Sequence, residues 1–159
     1  MRLCETTDDL TAALDELRAE RWFRENGALV QELIPPTGSD LRLVVAGGRV
    51  VGSVRRVAPP GEWRTNVALG AERVPLAPPL PAIRLAIAAA EACGAALVGV
   101  DLLETPDGGL TILELNGAVD FTDAYRRDGD VFRETVLELA HAAALASGLR
   151  RPRDNAVLV

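Results

Sequence analysis

Two glycine turns do most to restrict what this chain can become. Gly47-Gly48 separates residues 41–46 from 49–57, and Pro106-Asp107-Gly108-Gly109 separates 96–103 from 110–116. The flanking runs are rich in apolar and β-branched residues, and such short glycine turns join antiparallel strands. Parallel neighbours would need a crossover of a dozen or more residues. Two hairpins are therefore predicted, and a strictly alternating β/α order is excluded.

Helical spacing fills the intervals. Residues 7–21 place Leu10, Ala13, Leu14 and Leu17 on one stripe behind a Thr-Asp-Asp start, which predicts a single amphipathic helix. Residues 28–34, between Gly27 and Pro35-Pro36, predict a short strand. Residues 82–93, closed by Gly94, and residues 131–147 predict two more helices. Residues 58–81 and 117–128 predict irregular loops. The resulting order, α-β-β-β-α-β-β-α, is α+β: a largely antiparallel sheet with helices packed on it.

Charge and composition exclude several classes. The 159 residues hold 17 basic groups, every one an arginine, against 23 acidic ones, a net charge of −6. Nucleic acid and anionic membrane are poor partners for such a chain. The sequence has neither an apolar run of membrane-spanning length nor a signal-type N-terminus, so a cytoplasmic protein is expected. Cys4 and Cys93 are far apart and His141 is the sole histidine, which gives no zinc or disulfide pattern. No GxSxG occurs, and no serine has a histidine near it in sequence.

Polar residues that interrupt apolar strands are the chemical candidates. Asp101 lies within Val-Gly-Val-Asp-Leu-Leu, and Glu114 and Asn116 share one strand face in Ile-Leu-Glu-Leu-Asn. If the 106–109 turn pairs these strands, the three oxygen-bearing side chains converge as a hard-cation site, whereas a solvated strand face is the plainer alternative. Arg55, Arg56 and Arg64 form either an anion pocket or a surface charge run. Asp40 and Arg42 read as a surface ion pair of small energy, or as a hydroxyl-binding acid beside its partner. Gln31 and Glu32 could meet the edge of a planar ligand.

Taken in order, Leu29-Val-Gln-Glu-Leu-Ile34, Gly38-Ser-Asp-Leu-Arg42, Gly47-Gly-Arg-Val-Val-Gly52, Arg55-Arg56, Glu62-Trp-Arg-Thr-Asn66, Gly99-Val-Asp-Leu-Leu103 and Leu113-Glu-Leu-Asn116 resemble the ATP-grasp ligases. The resemblance is to the RimK-type branch, which joins a carboxylate to an amine through an acyl-phosphate made from ATP. It implies that Gln31, Glu32, Leu33 and Ile34 form the adenine hinge and that Asp40 accompanies nucleotide binding. It further implies that Arg64, Thr65 and Asn66 lie against the phosphates, with Arg55 and Arg56 on the basic strand before them. Asp101, Glu114 and Asn116 become Mg²⁺ ligands, with Mn²⁺ as a substitute, and Arg64 stabilises the acyl-transfer state.

The same resemblance implies an organisation: residues 1–34 end the first ATP-grasp subdomain, 35–148 are the C-terminal subdomain, and 149–159 form a flexible tail. ATP and a small carboxylate, amino acid or peptide are the implied partners, with a homo-oligomer or a second chain supplying the rest of the cleft. Two departures stand out. The family continues its metal strand with Asn-x-x-Pro-Gly at the acceptor pocket, whereas this chain reads Asn116-Gly-Ala-Val-Asp-Phe121. The phosphate-binding lysines of the preceding half have no counterpart. The chain alone is therefore expected to be weak or inactive as a ligase. The alternative is an inactive nucleotide-binding or protein-interaction remnant.

Overall fold

A computed structural model describes residues 2–120, 122–126 and 129–148. The expected tail at 149–159 lies outside them. The chain divides into two compact units, one ending at Leu33 and one beginning at Ile34.

The first unit holds α1 (Thr7–Leu17) and α2 (Arg21–Asn26). One helix was expected over 7–21; two form. Thr6 caps α1 in a reciprocal box: its hydroxyl accepts from the Asp9 amide while the Asp9 carboxylate accepts from the Thr6 amide. Gly27, at φ 71°, ends α2. The strand expected at 28–34 does not form: these residues join no ladder, and Leu29 is 83% exposed. A strand needs a neighbour to satisfy its amides, and among the described residues this segment has none.

The second unit is one five-stranded antiparallel sheet. Its strands are β1 (Ser39–Ala46), β2 (Arg49–Val57), β3 (Glu72–Pro75), β4 (Leu97–Glu104) and β5 (Leu110–Asn116), in the order β3-β2-β1-β4-β5. Both predicted hairpins form. Gly47 and Gly48 take φ 56° and 81°, the left-handed pair that a two-residue hairpin turn demands. β3 lies within the expected 58–81 loop; it is four residues long and Pro75 ends it.

Two helices sandwich the sheet. On one face α3 (Leu80–Ala92) lays Ala82, Ala86, Ala89 and Ala90 against Leu41, Leu43, Val45, Val98, Val100 and Leu102. Alanine on that stripe lets helix and sheet approach closely, and each buried Leu or Val contributes about 1.5–3 kcal/mol. On the other face Val44, Ala46 and Val54 pack against Tyr125 and against Val131 of α4 (Val131–Ala146). α4 is capped by Asp130, whose carboxylate accepts from the Phe132 and Arg133 amides at 3.0 and 3.3 Å. β1 is thus buried on both faces, and it carries the charged residues described next.

Candidate functional site

Asp40 and Arg42 sit two residues apart on β1 and so share a face. The register puts Asp40 opposite Arg56 of β2, and Arg42 opposite Asp101 of β4. All four are buried: Asp40 is 0% exposed, Asp101 1%, Arg42 7% and Arg56 9%. Burying charges is tolerable only when they are paired and hydrogen-bonded, and here they are. Arg42 Nη1 donates to Asp101 Oδ1 at 2.7 Å, and Arg56 Nη2 donates to Asp101 Oδ2 at 2.7 Å. Arg56 Nε donates to Asp40 Oδ1 at 2.8 Å, and its Nη2 also reaches Asp40 Oδ2. The Thr65 hydroxyl donates to Asp40 at 2.6 Å, which ties the loop after β2 to the cluster.

The expected surface pair of Asp40 with Arg42 is therefore corrected. Neighbours two apart on a strand point the same way, and each finds its partner on an adjacent strand instead. Gly99 makes room: a Cβ there would lie 3.1 Å from Arg42 Nη1, so the guanidinium rests on bare β4 backbone. Burial pushes the Asp101 carboxyl up to about 6 against the pull of Arg56 and Arg42. The same pairing holds Arg56 above the ordinary guanidinium range, although burial alone would lower it.

Asp101 also faces Glu114 directly across the β4–β5 ladder, and Gly99 faces Asn116. The three sequence candidates therefore lie on one sheet face, beside the buried charges. The register slips between Asp101 and Leu102, leaving Leu113 as an extra residue in β5. Glu114 is exposed, and Asn116 Oδ1 accepts from the Ala118 amide at 2.9 Å. Two facing carboxylates and an amide oxygen form a donor set that fits a hard divalent cation. Each Asp101 oxygen accepts one guanidinium bond and retains a further acceptor site.

The expected arginine cluster is not brought together. Arg55 and Arg56 are adjacent in sequence and so point to opposite faces. Arg55 pairs with Glu104 at 2.9 Å and with Ser39 Oγ at 2.9 Å on the α3 face. Arg64 is engaged by Glu62: its Nη2 lies 2.6 Å from Oε2 and its Nε 2.9 Å from Oε1, with the ring of Trp63 5.9 Å below. That grip lowers the Glu62 carboxyl to about 2. Asn66 precedes a single 3-10 turn, Val67–Leu69, without a capping bond from its side chain. Gln31, Glu32 and Leu33 belong to the first unit and are exposed, whereas Ile34 opens the second.

Sequence reasoning missed Arg42 as the partner of Asp101. The signal was present as an arginine two residues after an acid in an otherwise apolar strand, but its meaning depends on β1 pairing with β4, a contact between distant parts of the chain. A depression of about 650 Å³ lined by Pro79, Pro81, Leu85 and Glu104 opens on the α3 face, away from this cluster. No described helix is long and apolar enough to cross a membrane.

The RimK-like ATP-grasp domain family matches residues 1–135. A probable alpha-L-glutamate ligase 1 of Shewanella oneidensis is 33% identical over 144 residues, covering 89% of this chain and 47% of that protein. Its counterpart in Shewanella sp. strain ANA-3 is 36% identical over 131 residues, 80% of this chain and 42% of that one. Among solved structures, the ATP-grasp ligase PsnB, complexed with a phosphomimetic variant of its minimal precursor, Mg and ADP, superposes with a TM-score of 0.54 at 25% identity. That match covers 80% of this chain and 41% of PsnB. D-alanine–D-alanine ligase from Bacillus anthracis, complexed with ATP, superposes with a TM-score of 0.52 at 14% identity, over 89% and 42% of the two chains. The chain spans less than half the length of each of these proteins. With a family match that takes in every strand of the sheet and both sides of the charged cluster, the chain belongs to the RimK-like ATP-grasp family.

Proposed function

We propose that this chain is the C-terminal part of an ATP-dependent carboxylate–amine ligase that works in the cytoplasm and carries the magnesium side of the nucleotide cleft. The observation that carries this reading is the facing pair Asp101 and Glu114, with Asn116 on the same face and buried arginines behind it. Residues 1–34 would belong to the first ATP-grasp subdomain and 35–148 to the second. ATP and an amino acid or peptide are the substrates, and the names of the Shewanella relatives make L-glutamate the amino acid of choice.

Asp101, Glu114 and Asn116 would hold Mg²⁺, which supplies charge neutralisation for the ATP phosphates and for the phosphoryl group as it passes to the carboxylate. The chain's own residues prepare the rest. Arg42 and Arg56 fix both Asp101 oxygens, so that carboxylate is oriented before any ligand arrives. Thr65 anchors the 62–66 loop to Asp40, and Arg64 and Asn66 flank that anchor in sequence. We assign Arg64 to the negative charge that develops in acyl transfer, with Glu62 holding its guanidinium fork in the meantime. Gln31, Glu32, Leu33 and Ile34 would offer adenine their backbone and side-chain edges.

Titration calorimetry of the 159-residue chain with Mg²⁺-ADP tests the reading. Magnesium-dependent binding that disappears in Asp101→Asn and Glu114→Gln is the expected result. Binding that survives both substitutions, or that needs no metal, refutes the assignment.

A further inference from the structure

The sequence contains two Asn-Gly steps, Asn26-Gly27 and Asn116-Gly117. This dipeptide is chemically fragile. The backbone nitrogen of the glycine can attack the side-chain amide carbon of the asparagine and close a five-membered imide, and no Cβ on the glycine hinders the approach. Whether a folded chain permits the attack depends on how the two groups are held, and the two steps are held differently.

Asn26 closes α2. Its Nδ2 donates to the Trp22 carbonyl at 2.9 Å, and the Gly27 amide donates to the Phe23 carbonyl at 2.8 Å, so both reacting groups are committed to helix carbonyls. Asn116 instead ends β5, and the chain bends at Gly117 and Ala118. Gly117 is exposed, its amide has no hydrogen-bond partner among the described residues, and a Cβ placed there would meet nothing within 4 Å. Asn116 is half-buried and accepts at Oδ1 from the Ala118 amide at 2.9 Å, a closed turn that brackets the Gly117 nitrogen. That bond draws electron density toward Oδ1, which leaves Cγ more electrophilic and offers a donor to the oxyanion that forms when Cγ is attacked.

We propose that Asn116 is a site of spontaneous deamidation and isomerisation set inside the candidate cation site. The Gly117 nitrogen gives its proton to solvent and forms a bond to Asn116 Cγ. The bond from Cγ to Nδ2 breaks, and the side-chain nitrogen takes up a proton and leaves as ammonia. Water then adds to one of the two imide carbonyls: opening at one gives aspartate, and opening at the other gives isoaspartate, whose backbone runs through the former side chain. No oxidant or reductant enters.

Both products alter the donor set. Asn116 faces Gly99 across the ladder, on the face that carries Asp101 and Glu114. Aspartate there adds a further negative charge beside two carboxylates. Isoaspartate lengthens the backbone by one carbon and shortens the side chain by one, which withdraws the oxygen from Asp101 and Glu114. The consequence for the cation rests on the ligase reading above, whereas the reactivity of Asn116 rests on the bend alone.

The test is peptide mapping of the folded 159-residue chain after several days at mildly alkaline pH, with fresh chain and chain aged in urea as references. Trypsin places the two steps on separate peptides, 25–42 and 85–126, and Asn116 is the only amide side chain of the second. In the folded chain, peptide 85–126 is expected to gain the mass of one amide-to-acid exchange, with fragment ions separating isoaspartate from aspartate at 116, while peptide 25–42 converts about tenfold more slowly. In urea that difference should vanish. Gly117→Ala, whose new methyl meets open space, should keep the thermal midpoint and slow conversion at 116 by about tenfold or more.

Equal conversion of the two peptides in the folded chain, or an unchanged peptide 85–126 in a sample that binds Mg²⁺-ADP, overturns the proposal and spares the nucleotide assignment. Calorimetry of the aged chain reads the consequence. Mg²⁺-ADP binding should fall in step with the isoaspartate fraction, and full binding after conversion overturns the claim that the modification acts on the cation site. Absence of Mg²⁺-ADP binding in the fresh chain removes the ligase reading instead, and the peptide map then decides the modification by itself.

Discussion

Truncating Arg42 to methionine should destabilise the sheet unit by about 3 kcal/mol, although no surface residue is touched. Arg42 is 7% exposed and donates to Asp101 Oδ1 at 2.7 Å; without it, a carboxylate 1% exposed is left with Arg56 alone. Removing one partner of a buried pair costs about 3–5 kcal/mol, and the bond that Arg56 keeps to Oδ2 puts this case at the lower end. The reasoning has a second, sharper consequence. In an Asp101→Asn background no buried carboxylate remains to be stranded, so the same truncation should cost about 1 kcal/mol or less, a coupling of roughly 2 kcal/mol. Urea unfolding of the four proteins of this cycle, followed by far-ultraviolet circular dichroism at pH 7.5, measures both numbers. A cost below about 1 kcal/mol for Arg42→Met alone, or equal costs in the two backgrounds, refutes the claim that the cluster is an interdependent buried network.

Three further outcomes are expected. Asp101 has its carboxyl pushed up to about 6, above its unfolded value, so its contribution to stability is fully present below about pH 4 and is lost as pH rises through 6. The stability of the chain minus that of Asp101→Asn should therefore fall across this window, by at most about 1.4 kcal/mol per pH unit; a rising difference contradicts it. Arg56→Ala strands two buried carboxylates and should cost about 4 kcal/mol, whereas its neighbour Arg55→Ala breaks a half-exposed pair with Glu104 and should cost about 1 kcal/mol or less in the same urea assay. Gly47→Ala should destabilise more than Gly48→Ala. Both pay about 1–2 kcal/mol for a left-handed backbone, but at Gly47 the new methyl also runs into the Glu138 carbonyl of α4, while at Gly48 it meets open space; equal thermal shifts would refute this.

The parts of the fold written in local pattern were legible, and the parts written in long-range pairing were not. Gly47-Gly48 and the 106–109 turn announced both hairpins, because turn chemistry depends on a few consecutive residues. The hairpin alone placed Glu114 beside Asp101. β3 escaped because four residues ending in proline show no periodicity, and the pause between α1 and α2 escaped because the apolar stripe ends at Leu17 without a breaker. The strand expected at 28–34 had the right composition, yet a ladder is a property of two segments. Arg55 and Arg56 looked like one basic cluster when strand alternation already assigned them to opposite faces. Which carboxylate Arg42 meets depends on the neighbour β1 chooses, and β4 lies more than fifty residues away in sequence.

Among the described residues, β5 is bordered on one side only, by β4. The carboxylates of the candidate cation site therefore belong to regions of unequal protection. Asp101 sits on a strand hydrogen-bonded on both flanks, while Glu114 and Asn116 sit on one whose outer amides have no strand to answer them. In amide-exchange terms, β5 is the register that opens and closes first, with little of the rest of the molecule following. A ligand that bridges Asp101 and Glu114 would fasten that loose margin to the still centre of the sheet, so occupancy of the site should be visible as slowed exchange along β5 before it is visible anywhere else.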